Sequence, residues 1–213
     1  MRNDPVTDAL LFLIGAADYP GEIGAVKYVL VALYWALVIG SCVIAAINWR
    51  DDPSQRDQSH VITWICRVLI GTMWFQGCLW KLPLPVSGGF EYWTQQLEKY
   101  AAYAPHRWLV TNVFLPNLAL INPLVFLAEL SFAISLILGI GVRFFSTLAI
   151  LFSLHLWLGL YLHPGEWPWE YVFIAVINAL FVAYAAGRSL GADALLRQKS
   201  FHGPLAKAVA IAT

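Results

Sequence analysis

The chain has 213 residues and no formal net charge at neutral pH, and it is 60% hydrophobic but only 12% charged. Soluble domains are about 45–50% apolar and about 25% charged, so the composition excludes an ordinary soluble domain. It also lacks the basic excess of a nucleic-acid-binding protein, and we expect no nucleic-acid partner. The mean hydropathy of +0.66 predicts an all-α integral membrane protein whose first partner is the lipid bilayer.

Five apolar stretches of about membrane-spanning length follow one another along the chain. A helix of about 20 apolar residues crosses the roughly 30 Å bilayer core, so the shorter Ala9–Ala17 run is not a span. We assign 1–22 to an N-terminal interfacial segment. The five predicted spans are, in chain order, 23–49, Val61–Leu82, Leu118–Gly141, Phe144–Leu162 and Trp169–Gly187. The sequence therefore predicts a bundle of about five transmembrane helices.

Aromatic residues are concentrated in the long connection between the second and third spans, Pro83–Asn117. They alternate there with polar residues, a pattern that predicts one or two amphipathic helices at the membrane interface. The connection His163–Glu170 is similarly aromatic. Two interpretations remain open for this surface. It is either an aromatic belt at the headgroup layer, or a lid over an amphiphilic ligand or a docking surface for a partner.

The basic residues predict an orientation. With five spans, the Asn48–His60 loop, the Gly141–Arg143 turn and the tail 194–213 share one side, which carries most of the Lys and Arg residues. The positive-inside rule places that side in the cytoplasm. We therefore expect a multi-pass protein of the cytoplasmic (inner) membrane, with the N-terminus outside and the C-terminus in the cytoplasm.

A few ionisable residues lie inside the predicted spans, and they are the first candidates for function because a charge in hydrocarbon is costly. They are Arg67, Glu129 and His155. At 100° per residue, Arg67, Trp74 and Lys81 fall on one helical face. His155 lies halfway along the fourth span, from which it could meet Glu129 within a bundle.

Each of these residues also has a simpler interpretation. Arg67 and Lys81 lie near span ends, where long side chains reach the headgroups at little cost. Glu129 has no such escape, so it is protonated, paired with a cation or hydrogen-bonded to His155. A structural pair and a catalytic group both remain open for Glu129.

Metal and haem sites fit the sequence poorly. A membrane haem held by two imidazoles needs two histidines at matching depth, and of the five histidines only His155 lies deep in a predicted span. The cysteines Cys42, Cys66 and Cys78 form no C-x-x-C pair, which argues against a redox dithiol. We expect neither haem nor metal.

Three motifs in order carry a family resemblance. The second span reads Arg67-x3-Gly71-x3-Phe75-x-Gly77-x3-Lys81-Leu82. The third reads Glu129-Leu130 and then Leu138-Gly139-x-Gly141-x-Arg143. The last motif reads Glu170-Tyr171 and then Gly187-Arg188-Ser189-Leu190-x2-Asp193. Over about Arg67–Asp193 the chain resembles the DoxX family of small bacterial and archaeal membrane proteins, which includes the DoxD type.

The resemblance implies a fold and a function. It implies a four-helix core, which we place within 60–193 together with the 83–117 segment, while the span at 23–49 is an addition. For the DoxD branch it implies a subunit of thiosulfate:quinone oxidoreductase, which passes electrons from thiosulfate to membrane quinone. The leading hypothesis is therefore a membrane subunit of a quinone-linked oxidoreductase, with quinone as its cofactor and a further protein subunit as its partner.

Reduction of a quinone needs an apolar slot, hydrogen-bond donors to its carbonyls and a source of protons. We predict that Trp74 and Phe75 flank the ring, that Lys81 and His155 donate to the carbonyls, and that Glu129 holds a proton. Arg67 is a further candidate for contact with the cofactor.

A second hypothesis is a non-catalytic scaffold or accessory subunit of a larger respiratory or photosynthetic membrane complex. It predicts that Trp93, Trp108 or Trp167 matter more than Glu129 or His155. The sequence alone leaves both hypotheses open.

Overall fold

The computed structural model describes residues 4–17, 23–199 and 203–213, and within these ranges every regular element is helical. The helices are α1 (Pro5–Leu13), α2 (Val26–Asp51), α3 (Gln58–Leu79), α4 (Gly88–Lys99), α5 (Ala104–Leu109), α6 (Leu118–Leu138), α7 (Val142–Leu160), α8 (Trp169–Ala183), α9 (Ala192–Arg197) and α10 (Gly203–Ala212). The predicted all-α class is confirmed.

Among the residues that the structure describes, four helical segments are long and apolar enough to cross a membrane: α2, α3, the run 104–138 that ends with α6, and α7. The fifth predicted span is apolar but shorter, since α8 has 15 residues and a helix rises about 1.5 Å per residue. It ends early because the chain turns at Ala185, which takes a left-handed conformation with φ 47°, into a 3₁₀ turn at Ala186–Arg188.

Local sequence signals fix several helix ends. The Asp57 side chain accepts the Ser59 N–H at the start of α3, and Ser87 accepts the Phe90 N–H at the start of α4, so both act as N-caps. Between α6 and α7, Gly139 and Gly141 both have positive φ, 70° and 61°. Only glycine adopts such angles readily, which explains the tight turn between these helices.

The third span extends further toward its N-terminus than predicted. It continues backwards from Leu118 through a 3₁₀ turn at Leu115–Asn117, a π-helical turn at Val110–Phe114 and α5. The 83–117 segment thus contains helices, as predicted, separated by non-helical residues before α4 and between α4 and α5. In α4 the residues Phe90, Thr94 and Leu97 are buried on one face, which is the amphipathic pattern expected there.

The bundle is built on two closely packed helix pairs, α3 with α6 and α7 with α8, and α2 lies against α6. A side chain at Gly71 of α3 would collide with Ile137 and Leu136 of α6, so this glycine permits the close approach. The main core joins residues of these helices, including Trp74, Phe75, Phe132, Leu136 and Ile137.

The α2–α3 loop, the α6–α7 turn and the segment after α8 meet at one end of the bundle, which we call the α9 end. Gln55 accepts the Leu190 N–H at 2.7 Å, and the Asn48 side chain donates to Gly191 O at 3.0 Å. Asp193 N–H donates to Gly139 O at 2.8 Å. The sequence predicted that these segments share one side.

Helices α4 and α5 lie at the opposite end, which we call the α4 end. α4 packs against α7, and Ala102 N–H donates to Leu158 O of α7 at 2.9 Å. The helices that cap this end are therefore anchored directly to the bundle.

Candidate functional site

A cavity of about 350 Å³ opens among the helices toward the α4 end. Its polar lining residues are Lys81, Thr94, Glu129, His155, Glu166, Glu170 and Tyr171, and its aromatic lining residues include Trp74, Trp80, Phe90, Trp93, Phe114 and Phe152. Small-molecule sites are typically apolar cavities of about 300–1,000 Å³ with a few converging polar groups. Size and chemistry therefore make this cavity the candidate site.

A buried ion pair lies in the cavity wall. The ammonium of Lys81 lies 2.5 Å from the Glu129 carboxylate, and the two side chains are only 2% and 5% exposed. Of the alternatives left open by the sequence, the structure shows Glu129 paired with a cation. Lys81 does not reach the headgroups, because its side chain turns inward to this carboxylate.

The Lys81 ammonium is held by two further contacts. It donates to Gly77 O at 2.8 Å and lies 3.7 Å from the centre of the Trp80 ring, a cation–π contact. The amide of Asn122 donates to the Lys81 carbonyl at 3.0 Å. The Glu129 carboxylate, Gly77 O and the Trp80 ring together position the ammonium of Lys81 as the counter-ion of Glu129.

Trp74 offers a hydrogen-bond donor in the same wall. It is 5% exposed, and its ring lies edge-on to Phe132 and Phe152. Its indole Nε1–H has no acceptor within the part of the chain that the structure describes. Buried donors are almost always hydrogen-bonded in native proteins, so this group is available for a ligand carbonyl.

His155 lines the cavity but does not hydrogen-bond to Glu129. Its Nδ1 lies 2.9 Å from Nε2 of His106 in α5, and the Phe114 ring lies 5.3 Å away, centre to centre. The helix α5 folds back onto α7, which places a second histidine, His106, beside His155.

A second group of ionisable side chains lines the cavity near the start of α8. Glu166 and Glu170 both line it, and the Tyr171 hydroxyl donates to Glu166 at 3.0 Å. The sequence places Glu166 and Glu170 in an aromatic connection and Tyr171 in the fifth predicted span, and none of the three was a predicted site residue.

Phe75 and Arg67 lie outside the cavity lining. Phe75 is fully buried and packs on Tyr34 of α2. Phe75 follows Trp74 directly, and adjacent helical residues point about 100° apart. The cavity-facing stripe therefore includes Trp74 and excludes Phe75.

Arg67 is fully buried at the α9 end. Its guanidinium donates to the carbonyls of Leu136 at 2.5 Å and Ser189 at 3.4 Å. Arg67 therefore neither reaches the headgroups nor contacts the cavity. It ties α3 to the end of α6 and to the turn after α8.

Asp193 completes the packing at the α9 end. Its fully buried carboxylate accepts the N–H groups of Gly141 at 2.7 Å and Val142 at 3.1 Å. A side chain on Gly187 would collide with this carboxylate. Several residues of the three sequence motifs, including Arg67, Gly139, Gly141, Gly187 and Asp193, thus hold the helices at this end, whereas Lys81 and Glu129 meet at the cavity.

Among the described residues no group of three or more His, Cys, Asp or Glu side chains has the arrangement of a metal site. The chemistry of the cavity is that of hydrogen-bond donors, one ion pair and aromatic rings.

Comparison with known protein families gives a match over most of the chain. Residues 62–213 match the DoxD family, described as the small subunit of TQO, thiosulfate:quinone oxidoreductase. No curated protein and no solved structure matches the chain. The matched region begins within α3 and extends through α10, so α2 lies before it. Because the match covers more than two thirds of the chain, the protein belongs to the DoxD family of membrane proteins.

Proposed function

We propose that the chain is the membrane subunit of a thiosulfate:quinone type oxidoreductase and that it binds the quinone in the cavity beside Lys81 and Glu129. The observation that carries the proposal is the joint presence in one cavity of the Lys81–Glu129 pair, the unpartnered Trp74 donor and His155. Family membership supports the reaction class.

The lining fits a quinone on physical grounds. A quinone is a flat uncharged ring with two carbonyl acceptors, and it accepts two electrons and two protons when bound. Aromatic side chains such as Trp80, Trp93 and Phe152 provide surfaces for the ring. Trp74 Nε1 and the free nitrogen of His155 provide donors, while Lys81 stays with Glu129.

Each lining residue then has a defined task. Trp74 orients the ring by donating a hydrogen bond, and the apolar wall excludes water. His155 holds a proton at the nitrogen that faces away from His106. Glu129, kept close to the ring by Lys81, accepts or releases a proton within the cavity.

The charges in the cavity also indicate where the reductant is oxidised. Lys81 is the one lysine or arginine among the described lining residues, against the carboxyl groups of Glu129, Glu166 and Glu170. A dianion such as thiosulfate is disfavoured there, because like charges repel strongly away from water. We therefore assign thiosulfate oxidation to a partner subunit, from which electrons reach the cavity.

Photolabelling with an azido-quinone, followed by peptide mapping, tests the site. The label should map to peptides of α3, α6 or α7 that line the cavity. Trp74→Phe removes one donor and should weaken quinone binding about ten-fold, because one hydrogen bond contributes about 1–1.5 kcal/mol. Trp64→Phe is the matched control, since Trp64 donates to Ser41 at 3.0 Å in the α2–α3 packing and does not line the cavity. Equal affinity of both variants and wild type would contradict the proposal.

A non-catalytic accessory subunit is the second candidate, and exposed aromatic residues at the α4 end favour it. Trp108 and Trp167 are 62% and 59% exposed. Trp93 instead lines the cavity, so it does not separate the two functions. If Trp108→Ala and Trp167→Ala abolish co-purification of partner subunits while no quinone is labelled on the chain, the accessory role is correct.

We also propose that the α4 end faces away from the cytoplasm, in a bacterial or archaeal inner membrane. Arg143 lies in the first turn of α7, Arg188 ends the 3₁₀ turn after α8, and Arg197 ends α9, with Lys199 two residues further on. Basic residues favour the cytoplasmic side. Labelling of a single cysteine placed at exposed Glu91 by an impermeant maleimide in intact cells tests this orientation.

A further inference from the structure

Two histidines connect the cavity with α5. His155 lines the cavity, whereas His106 does not. Nε2 of His106 and Nδ1 of His155 are 2.9 Å apart, and the ring centres are 4.8 Å apart. The two rings therefore form one continuous hydrogen-bonded path of two imidazoles.

The far end of this path lies close to the surface. His106 is partly buried, and its chain neighbours Ala104, Pro105 and Arg107 are exposed. Nδ1 of His106 is covered and has no hydrogen-bond partner among the described residues. Buried polar groups that have no protein partner usually hydrogen-bond to ordered water, and such a water molecule can pass a proton to this nitrogen.

The surrounding packing keeps the two rings next to each other. A side chain at Gly159 of α7 would collide with the His106 ring and with Leu97 of α4, so this glycine makes room for His106. The Phe114 ring, at the end of the π-helical turn, and the Phe152 ring lie against His155. π-helical turns within α-helices are frequent at functional sites.

We propose that His106 and His155 relay protons between the surface at the α4 end and the quinone cavity, an inference that rests on the proposed function. Formation of a quinol consumes two protons and two electrons, and the electrons come from the reductant through the partner subunit. The relay supplies protons one at a time.

One cycle of the relay involves three proton transfers. The Nε2–H bond of His155 breaks as its proton enters the cavity, and His155 Nδ1 takes the proton that leaves His106 Nε2. His106 Nδ1 then takes a proton from the water molecule beside it, and the hydroxide left behind is reprotonated from the solvent. Each ring ends neutral with its proton on the other nitrogen, and rotation of the rings restores the starting state.

Other ionisable groups face the cavity but do not substitute for this path. Glu129 is held by Lys81 in the wall, and Glu166 accepts from Tyr171. Within the described residues, His155 is the cavity-lining group whose hydrogen bond leads to a second titratable side chain outside the lining.

Thiosulfate-dependent reduction of a short-chain quinone by the intact complex, purified from its host membrane through a tag on this chain, tests the relay. His106→Gln keeps a side-chain N–H that can donate to His155 but cannot pass a proton on. Its turnover should fall on the order of 10²-fold, the lower range for acid–base groups, with quinone affinity unchanged. His106→Ala should fall similarly and recover when imidazole is added to the buffer.

His60→Gln is the matched control, since His60 contacts Ser189 at the α9 end and should leave turnover unchanged. Wild-type turnover in His106→Gln, together with normal quinone labelling, would overturn the relay but not the quinone site. Low turnover in His106→Ala without recovery in imidazole, accompanied by weakened quinone binding, would make the pair structural. A wild-type chain that binds no quinone would overturn both proposals.

Discussion

The Lys81–Glu129 pair permits a quantitative prediction about stability. The two side chains are 2% and 5% exposed and lie 2.5 Å apart, so solvent does not screen their interaction. Removal of one partner of a buried pair leaves an uncompensated charge and costs about 3–5 kcal/mol, whereas replacement of both by apolar groups is often neutral. Glu129→Gln alone should therefore destabilise the protein, and Lys81→Met/Glu129→Gln should recover most of the loss.

The expected shift in unfolding temperature follows from chain length. A change of 1 kcal/mol shifts Tm by about 2–4 °C in chains of 150–250 residues. Each single variant should thus unfold roughly 10 °C below wild type, and the double variant within a few degrees of it. The excess of the summed single effects over the double effect is the coupling between the two residues.

A buried thiol provides the assay. Cys42 and Cys66 are exposed and Cys78 is buried, so Cys42→Ser/Cys66→Ser leaves one thiol that reacts with a fluorogenic maleimide only on unfolding. The buried-pair argument would be refuted if the single variants had the same unfolding temperature as wild type. It would also be refuted if the double variant were no more stable than either single variant. Glu129→Gln leaves the buried Lys81 ammonium without a counter-ion. A loss of activity in this variant must therefore be compared with the activity of the double variant.

Two further predictions concern the α9 end. Gly139→Ala should lower the free energy of unfolding by several kcal/mol more than Gly141→Ala does. Both glycines have positive φ, but a side chain at Gly139 would also collide with Arg67. The thiol-based melting experiment measures both variants, and an equal loss of stability in the two would contradict the steric argument. Hydrogen bonds from the Ser59 side chain and N–H lower the pKa of Asp57 at the start of α3. Its stabilising contribution is therefore present above its unfolded-state pKa of about 4 and is lost as pH falls through its lower folded-state pKa. When the melting temperature is measured at decreasing acid pH, it should fall less steeply for Asp57→Asn than for wild type. Parallel curves for the two proteins would show that Asp57 does not cause the loss of stability in acid.

Much of the fold follows from local sequence. Runs of about 20 apolar residues predict spanning helices whatever their neighbours, because backbone groups in hydrocarbon must be hydrogen-bonded within the helix. The grouping of loops at each end follows from the number of spans. The glycines at 139 and 141 predict the turn between α6 and α7, since their conformational freedom is a local property.

Helical phase also predicted part of the site. Trp74 and Lys81 share a stripe of α3, and both line the cavity with Glu129 and His155. Helical phase predicts less reliably which residues at the edge of a stripe face the cavity, and it did not distinguish Phe75 from Trp74. Arg67 lies on the same stripe but two turns nearer the other end, where backbone carbonyls rather than a cavity meet it.

The sequence by itself determined the helical membrane class, the family and the ionisable residues at membrane depth, because hydropathy and helical periodicity are properties of consecutive residues. The tertiary structure decided which of them meet. It placed Lys81 rather than His155 against Glu129 and brought His106 onto His155, since these contacts depend on how α5 folds back on α7 and how α3 packs on α6. Such contacts join residues 48 and 49 positions apart along the chain, beyond the reach of any local periodicity.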